Sequence, residues 1–528
     1  TRNPDRSTAA LTLNAWMCIQ DIALHKRCAA MRQPVLQRLW DMLLLQCTLP
    51  PSTQPSKSPL PHQDYGGDDT LDDDSIGAFR VGPPGCKDLL GSLVNTIPDH
   101  AIKSISTVFQ TGRIAGSPAS VPWVNREAAL FVFHKLSSEC SPSYSLRTVM
   151  SLMDTMRKNP QLTTAAPRLT ATTCRVIGSY APVYKHNAAL SVFAIRFFQH
   201  VLGTRKGTIV PVVAASNFAK TCSACQVLAT REHIALLASI VEHAANNGMI
   251  TEARVHLAQG AAKAISTYAK QHMTADPATT KPVQDMIAKC ANQNCVRLKQ
   301  FMTEAGKLQN NKSSPQRQRF TNGVAVELEC LGALLKFLQV PSNGGPHPLQ
   351  QIFSQLWPVL EALPTHFLDA RGIMQQLCDL YTIVFLSLRQ KAQKYLHKML
   401  INTNEIYCTH GLSQSLDAVR FAVEKFGAVA EVKKVFLSLV KRMCEVTFSW
   451  VKAKSSKFVD DPELIERFFD LMISIEIFCP TALLLNPVLP NVFKLAILVS
   501  DSDEHKATVA SYRFLNVLLD RKGKATLL

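Results

Sequence analysis

The chain has 528 residues, more than one ordinary hydrophobic core holds, so its length predicts several domains or a repeat array. Hydrophobic residues make up 47% of the sequence, which excludes an intrinsically disordered protein. The formal net charge is +17, but the basic residues are dispersed rather than gathered in one arginine-rich block, so charge alone does not predict nucleic-acid binding.

The first predicted region, residues 1–49, contains helical patterns of the kind found in HEAT repeats. It is followed by a segment, residues 50–85, that is rich in Pro, Ser and Gly and too poor in apolar residues to pack, so we expect a mostly disordered insertion. This insertion carries an acidic cluster, which is either a solvated loop or a gate that competes for basic ligands. The cluster consists of Asp68, Asp69, Asp72, Asp73 and Asp74.

From residue 86 to residue 528 one unit recurs: a helical pattern, a short polar or Pro/Gly break, and a second helical pattern. In the helix around "NREAALFVFHK", Ala128, Phe131, Val132 and Leu136 are spaced by one to four residues and share one face. Helix pairs recur at about forty residues, the period of HEAT or armadillo repeats. The sequence therefore predicts an all-α helical-repeat solenoid, with about eight to ten helix pairs after the insertion.

The most apolar stretch, residues 481–499, is interrupted by two prolines, Asn and Lys, so we expect no membrane span and a soluble chain. The fifteen cysteines lack a disulfide framework, which favours reduced thiols in the cytosol or nucleus. The chain starts without Met and stops just after a helical pattern, which suggests a piece of a longer protein.

Sequence motifs for catalysis or metal binding are not found. The Cys222 to Cys225 pair has zinc-like spacing but lacks two further ligands, and Cys290 and Cys295 lie within another helical stretch. Phosphate-loop, metalloprotease and hydrolase signatures are absent, and isolated histidines such as His134 and His347 fit structural roles. We therefore expect no enzyme activity, no metal and no cofactor.

Several motifs resemble one family. They are "IGAFRVGPPGCKDLLGSLV" with its Phe-Arg pair, "WVNREAALFVFHKLSS", "VVAASNFAKTCSACQ", the stretch from "FTNGVAVELE" to "WPVLEAL", and "DDPELIERFFDLM" with the residues after it. In this order they resemble the karyopherin-β nuclear transport receptors, specifically the branch of transportin-SR and importin-13. Together they cover most of residues 85–519.

The resemblance implies a cargo carrier. Receptors of this family bind protein cargo, including SR-type and other basic or phosphorylated nuclear proteins, on the concave face of the superhelix. They bind RanGTP and nucleoporin FG repeats and shuttle between nucleus and cytoplasm. The family's principal Ran-binding repeats would precede Thr1 and further repeats would follow Leu528, so we expect the 528-residue chain alone to bind Ran weakly.

One departure concerns cargo recognition. The transportin-SR branch has an arginine-rich helix after the "WPVL" helix, and its guanidinium groups suit phosphorylated Arg-Ser segments. Here that helix keeps Arg371 but has Gln375, Gln376 and Asp379 where cations would be wanted. The next pattern, "RQKAQKYLHKML", predicts Lys391, Lys394 and Lys398 on one helix face, either as a solvated surface or as a relocated anion-binding face.

Two other function classes stay open. One is a HEAT scaffold without a transport role, such as a phosphatase or kinase-complex subunit. The other is an RNA-associated helical-repeat protein, which the lack of recurring polar residues at fixed repeat positions disfavours.

Overall fold

A computed structural model describes residues 9–28, 33–49, 79–80, 85–114, 121–138, 142–204, 209–274, 277–307, 314–340, 348–453 and 461–525. Across these ranges the secondary structure consists of helices and turns, without a β-strand, so the predicted all-α class is confirmed. None of the described helices is both long and apolar enough to cross a lipid bilayer. The chain divides into two compact units, Thr1–Gln271 and His272–Leu528.

The helices of the first unit are α1 (Leu13–Asp21), α2 (Gln33–Gln46), α3 (Cys86–Thr96), α4 (Pro98–Thr111), α5 (Pro122–Lys135), α6 (Pro142–Lys158), α7 (Gln161–Thr164), α8 (Pro167–Ser179), α9 (Ala181–Tyr184), α10 (Ala188–Thr204), α11 (Val210–Ala224), α12 (Arg231–Asn246) and α13 (Thr251–His272). Helices α5, α8 and α11 pack side by side in one layer, and α4, α6 and α10 form the other layer. This two-layer stacking of helix pairs is the arrangement that HEAT repeats adopt.

The helices of the second unit are α14 (Pro277–Lys307), α15 (Pro315–Phe337), α16 (Pro348–Phe367), α17 (Arg371–Leu388), α18 (Gln393–His410), α19 (Ser413–Phe426), α20 (Lys433–Ala453), α21 (Pro462–Phe478), α22 (Thr481–Leu484), α23 (Leu489–Ser500) and α24 (His505–Ala525). We call α14, α16, α18 and α20 the first layer, and α15, α17, α19, α21 and α24 the second layer. Helices α17, α19, α21 and α24 begin at residues 371, 413, 462 and 505, intervals of 42 to 49 residues that match HEAT units. The second-layer helices lie in closer mutual contact than those of the first layer.

Local sequence explains where many helices begin. Proline stands in the first turn of α4, α5, α8, α15 and α21, where its missing N–H costs no hydrogen bond. The side chains of Thr230, Ser314 and Asp461 accept hydrogen bonds from backbone N–H groups in the first turns of α12, α15 and α21. These prolines and capping side chains lie within a few residues of the helix starts, so the sequence alone can indicate where the helices begin.

The close approach of neighbouring helices depends on glycine at particular points. A Cβ at Gly178 of α8 would lie 2.3 Å from Asn217 Oδ1 of α11, so only glycine lets these two helices pack at their present distance. Gly411 follows α18 with φ of +61°, in the left-handed region, and its Cα faces Trp450. Both glycines thus fix how successive repeats meet.

The predicted insertion needs a correction at its end. Phe79 and Arg80 fall within residues 50–85, yet their exposed fractions are only 2% and 1%. They are therefore part of the packed core rather than of an unstructured segment. The acidic cluster of Asp68, Asp69, Asp72, Asp73 and Asp74 lies outside the described residues, as does His347. The continuity of one solenoid over residues 86–528 stays a prediction.

Candidate functional site

Arg371, the cation retained from the arginine-rich pattern, is the first residue of α17 in the second layer. Its guanidinium Nη1 donates a hydrogen bond of 2.7 Å to the backbone carbonyl of His410, the last residue of α18. Arg371 thereby caps a helix C-terminus, where a cation is favoured by the helix dipole. The side chain is exposed, so this role leaves it accessible to a partner.

The three predicted lysines lie in the first layer, not in the layer of Arg371. Lys394 and Lys398 are exposed on α18, where Lys394 Nζ lies 3.4 Å from Ser354 Oγ and Lys398 Nζ lies 4.0 Å from Glu361 Oε1, both acceptors on α16. Lys394 Nζ also lies 4.6 Å from the ring centroid of Tyr395. Lys391 is half-buried and belongs to a short 3-10 turn, Arg389–Ala392, that precedes α18.

The prediction of one helix carrying all three lysines is therefore wrong for Lys391. The chain turns at Arg389, which adopts φ of 49° and ψ of −129°. Arg371 is also not brought together with the lysines. It contacts residue 410, and Lys394 lies sixteen residues earlier on α18, which corresponds to roughly 24 Å along the helix.

The second layer of this unit presents carboxylates where the resemblance called for cations. Asp379 of α17 is half-buried, and burial together with the nearby charge of Asp417 raises its pKa to about 6, while Lys336 opposes the rise. Gln375 and Gln376 on the same helix are also half-buried. Gln375, Gln376 and Asp379 thus place no cation on this part of α17, and its poor fit to a phosphorylated ligand stays a prediction.

Sequence reasoning missed a network of charges that continues from α17 to α19 and α21. Asp417 accepts from Arg420 at 3.1 Å and faces Arg467 Nε of α21 at 3.5 Å. Arg420 is 3.6 Å from Glu424, and Arg467 is 3.7 Å from Asp470. The spacing of residues 417, 420 and 424 within α19 could have indicated the first part of the network. The link to α21 depends on tertiary packing.

We call Asp379, Asp417, Arg420, Glu424, Arg467 and Asp470 the second-layer charge network. It contains four carboxylates against two guanidinium groups, and its members are half-buried. Partial exposure on the more closely packed layer makes the network available to a ligand that carries positive charge.

The first unit contains a buried cluster that joins two of the family-like motifs. Arg80 Nη2 lies 2.7 Å from Glu127 Oε2, and the Thr172 hydroxyl donates to Glu127 Oε1 at 2.9 Å. Arg80 also donates to the backbone carbonyl of Cys47 and lies over the Phe131 ring, 4.3 Å from its centroid. The cluster therefore ties the Phe-Arg segment to α5, α8 and the end of α2.

The cysteines with metal-like spacing are parts of the helical core. Cys222 lies buried in α11, and burial raises the pKa of its thiol well above the usual range. Burial likewise raises the pKa of Cys225, Cys290 and Cys295. Within the described part of the chain, no group of three or more His, Cys, Asp or Glu side chains is placed to hold a metal ion.

One stretch of the chain is similar to a known family. Residues 347–451, which span α16 to α20, match the family model described as the Transportin-3/Importin-13 fourth TPR domain. The predicted resemblance to this branch is confirmed by that match. These are also the helices that carry Arg371, Lys391, Lys394 and Lys398.

Solved structures share the fold over nearly the whole chain. Importin-13 in its cytosolic state is 15% identical with a TM-score of 0.69, over 96% of this chain and 55% of that one. A complex of Kap95 with Nup1 gives 15% identity and a TM-score of 0.59, over 98% of this chain and 56% of that one. A structure of Kap95p, the yeast importin-β, with RanGDP is 13% identical with a TM-score of 0.53, over 98% of this chain and 56% of that one. The chain thus has the HEAT-repeat fold of karyopherins and spans a little over half the length of these relatives.

Proposed function

We propose that this chain acts in an importin-type nuclear transport receptor of the karyopherin-β class and binds protein cargo. The observation that carries the proposal is the family match over α16 to α20, set in a fold that resembles importin-13 over 96% of the chain. Such a receptor shuttles between nucleus and cytoplasm and needs no covalent chemistry. Its regulation depends on ligands that bind one conformational state better than another.

We infer that the second layer lines the concave face of the second unit, and its charge network supports a cargo contact there. Its carboxylates outnumber its guanidinium groups, so it favours a basic cargo segment over a phosphorylated one. Arg371 lies at the edge of the same layer and would meet an acidic part of the cargo. Lys391, Lys394 and Lys398 would form a separate contact for acidic or phosphorylated segments on the first layer.

RanGTP and nucleoporins are the proposed partners besides cargo. The Kap95 structures contain Nup1 or RanGDP, which supports these two classes of partner for the fold. Between α14 and α16 a groove of about 310 Å³ has an apolar floor that includes Ile352, Leu356 and the half-exposed Val296. This groove suits a short apolar segment such as a nucleoporin repeat supplies.

Affinity capture with the full-length protein tests the proposal. Nuclear proteins bound to the immobilised receptor are challenged with Ran loaded with a non-hydrolysable GTP analogue or with GDP, and the 528-residue chain is run in parallel. We expect release by the GTP form alone from the full-length protein. Retention in both nucleotide states would favour the scaffold alternative, and ribonuclease-sensitive capture would favour the RNA-associated one.

A further inference from the structure

A polar pocket in the first unit, well separated in sequence from the proposed cargo surface, has no role in the proposed function. It lies between α3 and the C-terminal end of α5, is partly open to solvent and has a volume of about 560 Å³. Cavities of this size are in the range that holds small ligands or a side chain with its flanking backbone. We call it the α3–α5 pocket.

The pocket has cationic groups on both of its walls. Lys87 contributes a cation from α3, and Lys135 contributes one from the last turn of α5, beside the imidazole ring of His134. One carboxylate, Asp88, lines the pocket, but it lies 46% exposed at 4.0 Å from Lys87 Nζ and neutralises only part of the charge. The pocket therefore attracts an anion.

The remaining lining groups can form hydrogen bonds with that anion. On α3, Ser92 and Asn95 follow Lys87 at five and eight residues, and Gly91, just before Ser92, contributes no side chain. Ser137 faces them from beyond the end of α5. Hydroxyl, amide and ammonium donors around one cavity suit an anion with several acceptor oxygens, such as a phosphate monoester.

The positions of His134 and Lys135 are fixed by contacts outside the pocket. His134 Nδ1 lies 2.9 Å from the Ser179 hydroxyl of α8, which holds the imidazole ring in one orientation. Lys135 Nζ lies 5.5 Å from the centroid of the Phe131 ring. A pocket whose cations are already positioned loses less conformational entropy when a ligand binds.

A purely structural role does not account for the whole arrangement. A cation in the last turn of α5 offsets the negative end of that helix dipole, which explains Lys135. It does not explain Lys87, which lies in the first turn of α3, where a cation is disfavoured by the dipole. An anion bound between the two helices would stabilise Lys87, whose ionic neighbour Asp88 is exposed and 4.0 Å away.

We propose that the α3–α5 pocket binds a phosphate monoester, supplied as a phosphorylated serine or threonine of a partner protein. A protein source fits a pocket that is partly open to solvent, since a phosphorylated side chain can enter while its backbone stays outside. This inference does not depend on the proposed transport function. A failure of Ran-dependent release would leave it standing.

Fluorescence polarisation with the 528-residue chain tests the inference. The probes are a degenerate peptide library centred on phosphoserine and the matching serine library, measured at fixed ionic strength. We expect about tenfold tighter binding of the phosphorylated library, equivalent to about 1.4 kcal/mol. Lys87→Gln with Lys135→Gln should abolish this preference.

Lys289→Gln with Lys299→Gln, at the groove between α14 and α16, is the matched control and should retain the preference. Equal affinity for the two libraries would overturn the inference, as would equal loss in both double variants. A third arm uses inositol hexakisphosphate. Binding of that compound through Lys87 and Lys135 without any preference for phosphopeptide would overturn a protein source.

Discussion

Arg80 and Glu127 form an ion pair of 2.7 Å in which both side chains are almost fully buried, although 47 residues separate them in the chain. Two further groups form hydrogen bonds with this ion pair: Thr172 donates to the Glu127 carboxylate, and the Cys47 carbonyl accepts from the Arg80 guanidinium. A buried charge is tolerated only when its partners are in place. The pair therefore makes the fold around α5 dependent on the Phe-Arg segment.

We predict that Glu127→Gln destabilises the first unit by about 3–5 kcal/mol, because it leaves the Arg80 guanidinium buried without a counter-charge. Combining it with Arg80→Met should recover part of the loss, since no buried charge remains. Urea unfolding monitored by circular dichroism measures both effects. Asp154→Asn, which breaks only exposed pairs with Arg157 and Lys158, is the control and should leave the midpoint nearly unchanged. A similar effect of Glu127→Gln and Asp154→Asn would contradict the assigned role.

Gly178→Ala should destabilise the same unit by about 1–3 kcal/mol, because its Cβ would overlap Asn217 Oδ1 on the neighbouring helix. The Asn217 amide cannot move away cheaply, since its Nδ2 donates to the Val213 carbonyl at 2.8 Å. Gly306→Ala in α14 is the matched control, with no atom within 4 Å of the added methyl group. This control should be neutral or stabilising by up to about 1 kcal/mol, because alanine favours the helix. Thermal unfolding of the two variants gives the comparison, and equal shifts would show that α8 and α11 can separate freely.

Local patterns predicted the helices well because the apolar period of a HEAT helix is written within each helix. The buried stripe of α4, formed by Ala101, Ile105, Val108 and Phe109, is such a case. The single buried face predicted for α5 is wrong, because every residue from Glu127 to Phe133 is buried and the helix is enclosed on all sides. The partners of charged residues were not predictable in the same way. The Phe-Arg motif and the Glu127 helix were recognised as separate motifs, but their contact depends on the packing of distant segments.

The three lysines of the candidate site show the same limit of prediction from local sequence. The pattern "RQKAQKYLHKML" contains no glycine or proline, so its sequence indicates one continuous helix. The structure instead turns at Arg389 and starts α18 at Gln393, which removes Lys391 from the helix of Lys394 and Lys398. Tertiary packing overrides helix propensity there. The layer to which each helix belongs likewise follows from stacking, not from local sequence.

Asp379 predicts a pH dependence of stability. Its folded-state pKa of about 6 lies above the ordinary value near 3.9, so the folded state binds the proton more tightly. Its contribution to stability is present below about pH 4 and is lost as the pH rises through about 6. Asp379→Asn should flatten this fall and make the chain more stable above pH 6, by about 1–2 kcal/mol after allowance for solvent screening.

The measurement is the unfolding free energy of both proteins between pH 4 and pH 8. The exposed Asp501→Asn on the same unit serves as the control and should follow the parent profile. Parallel profiles for the parent and Asp379→Asn would contradict the raised pKa. A steeper fall in the variant would contradict its sign.

Charge reversal of Lys391, Lys394 and Lys398 to Glu tests the proposed anion contact on the first layer. If these lysines bind acidic or phosphorylated cargo, the triple variant should lose at least about tenfold in affinity for a phosphorylated Arg-Ser peptide, because a repulsive charge replaces each attraction. Reversal of the exposed Lys433, Lys434 and Lys441 on α20 changes the net charge equally and should have little effect. Arg371→Glu should act independently of the triple variant, since the His410 carbonyl that Arg371 contacts lies roughly 24 Å from Lys394 along α18. Unchanged affinity in the triple variant would assign these lysines to a solvated surface and leave cargo recognition to the second layer.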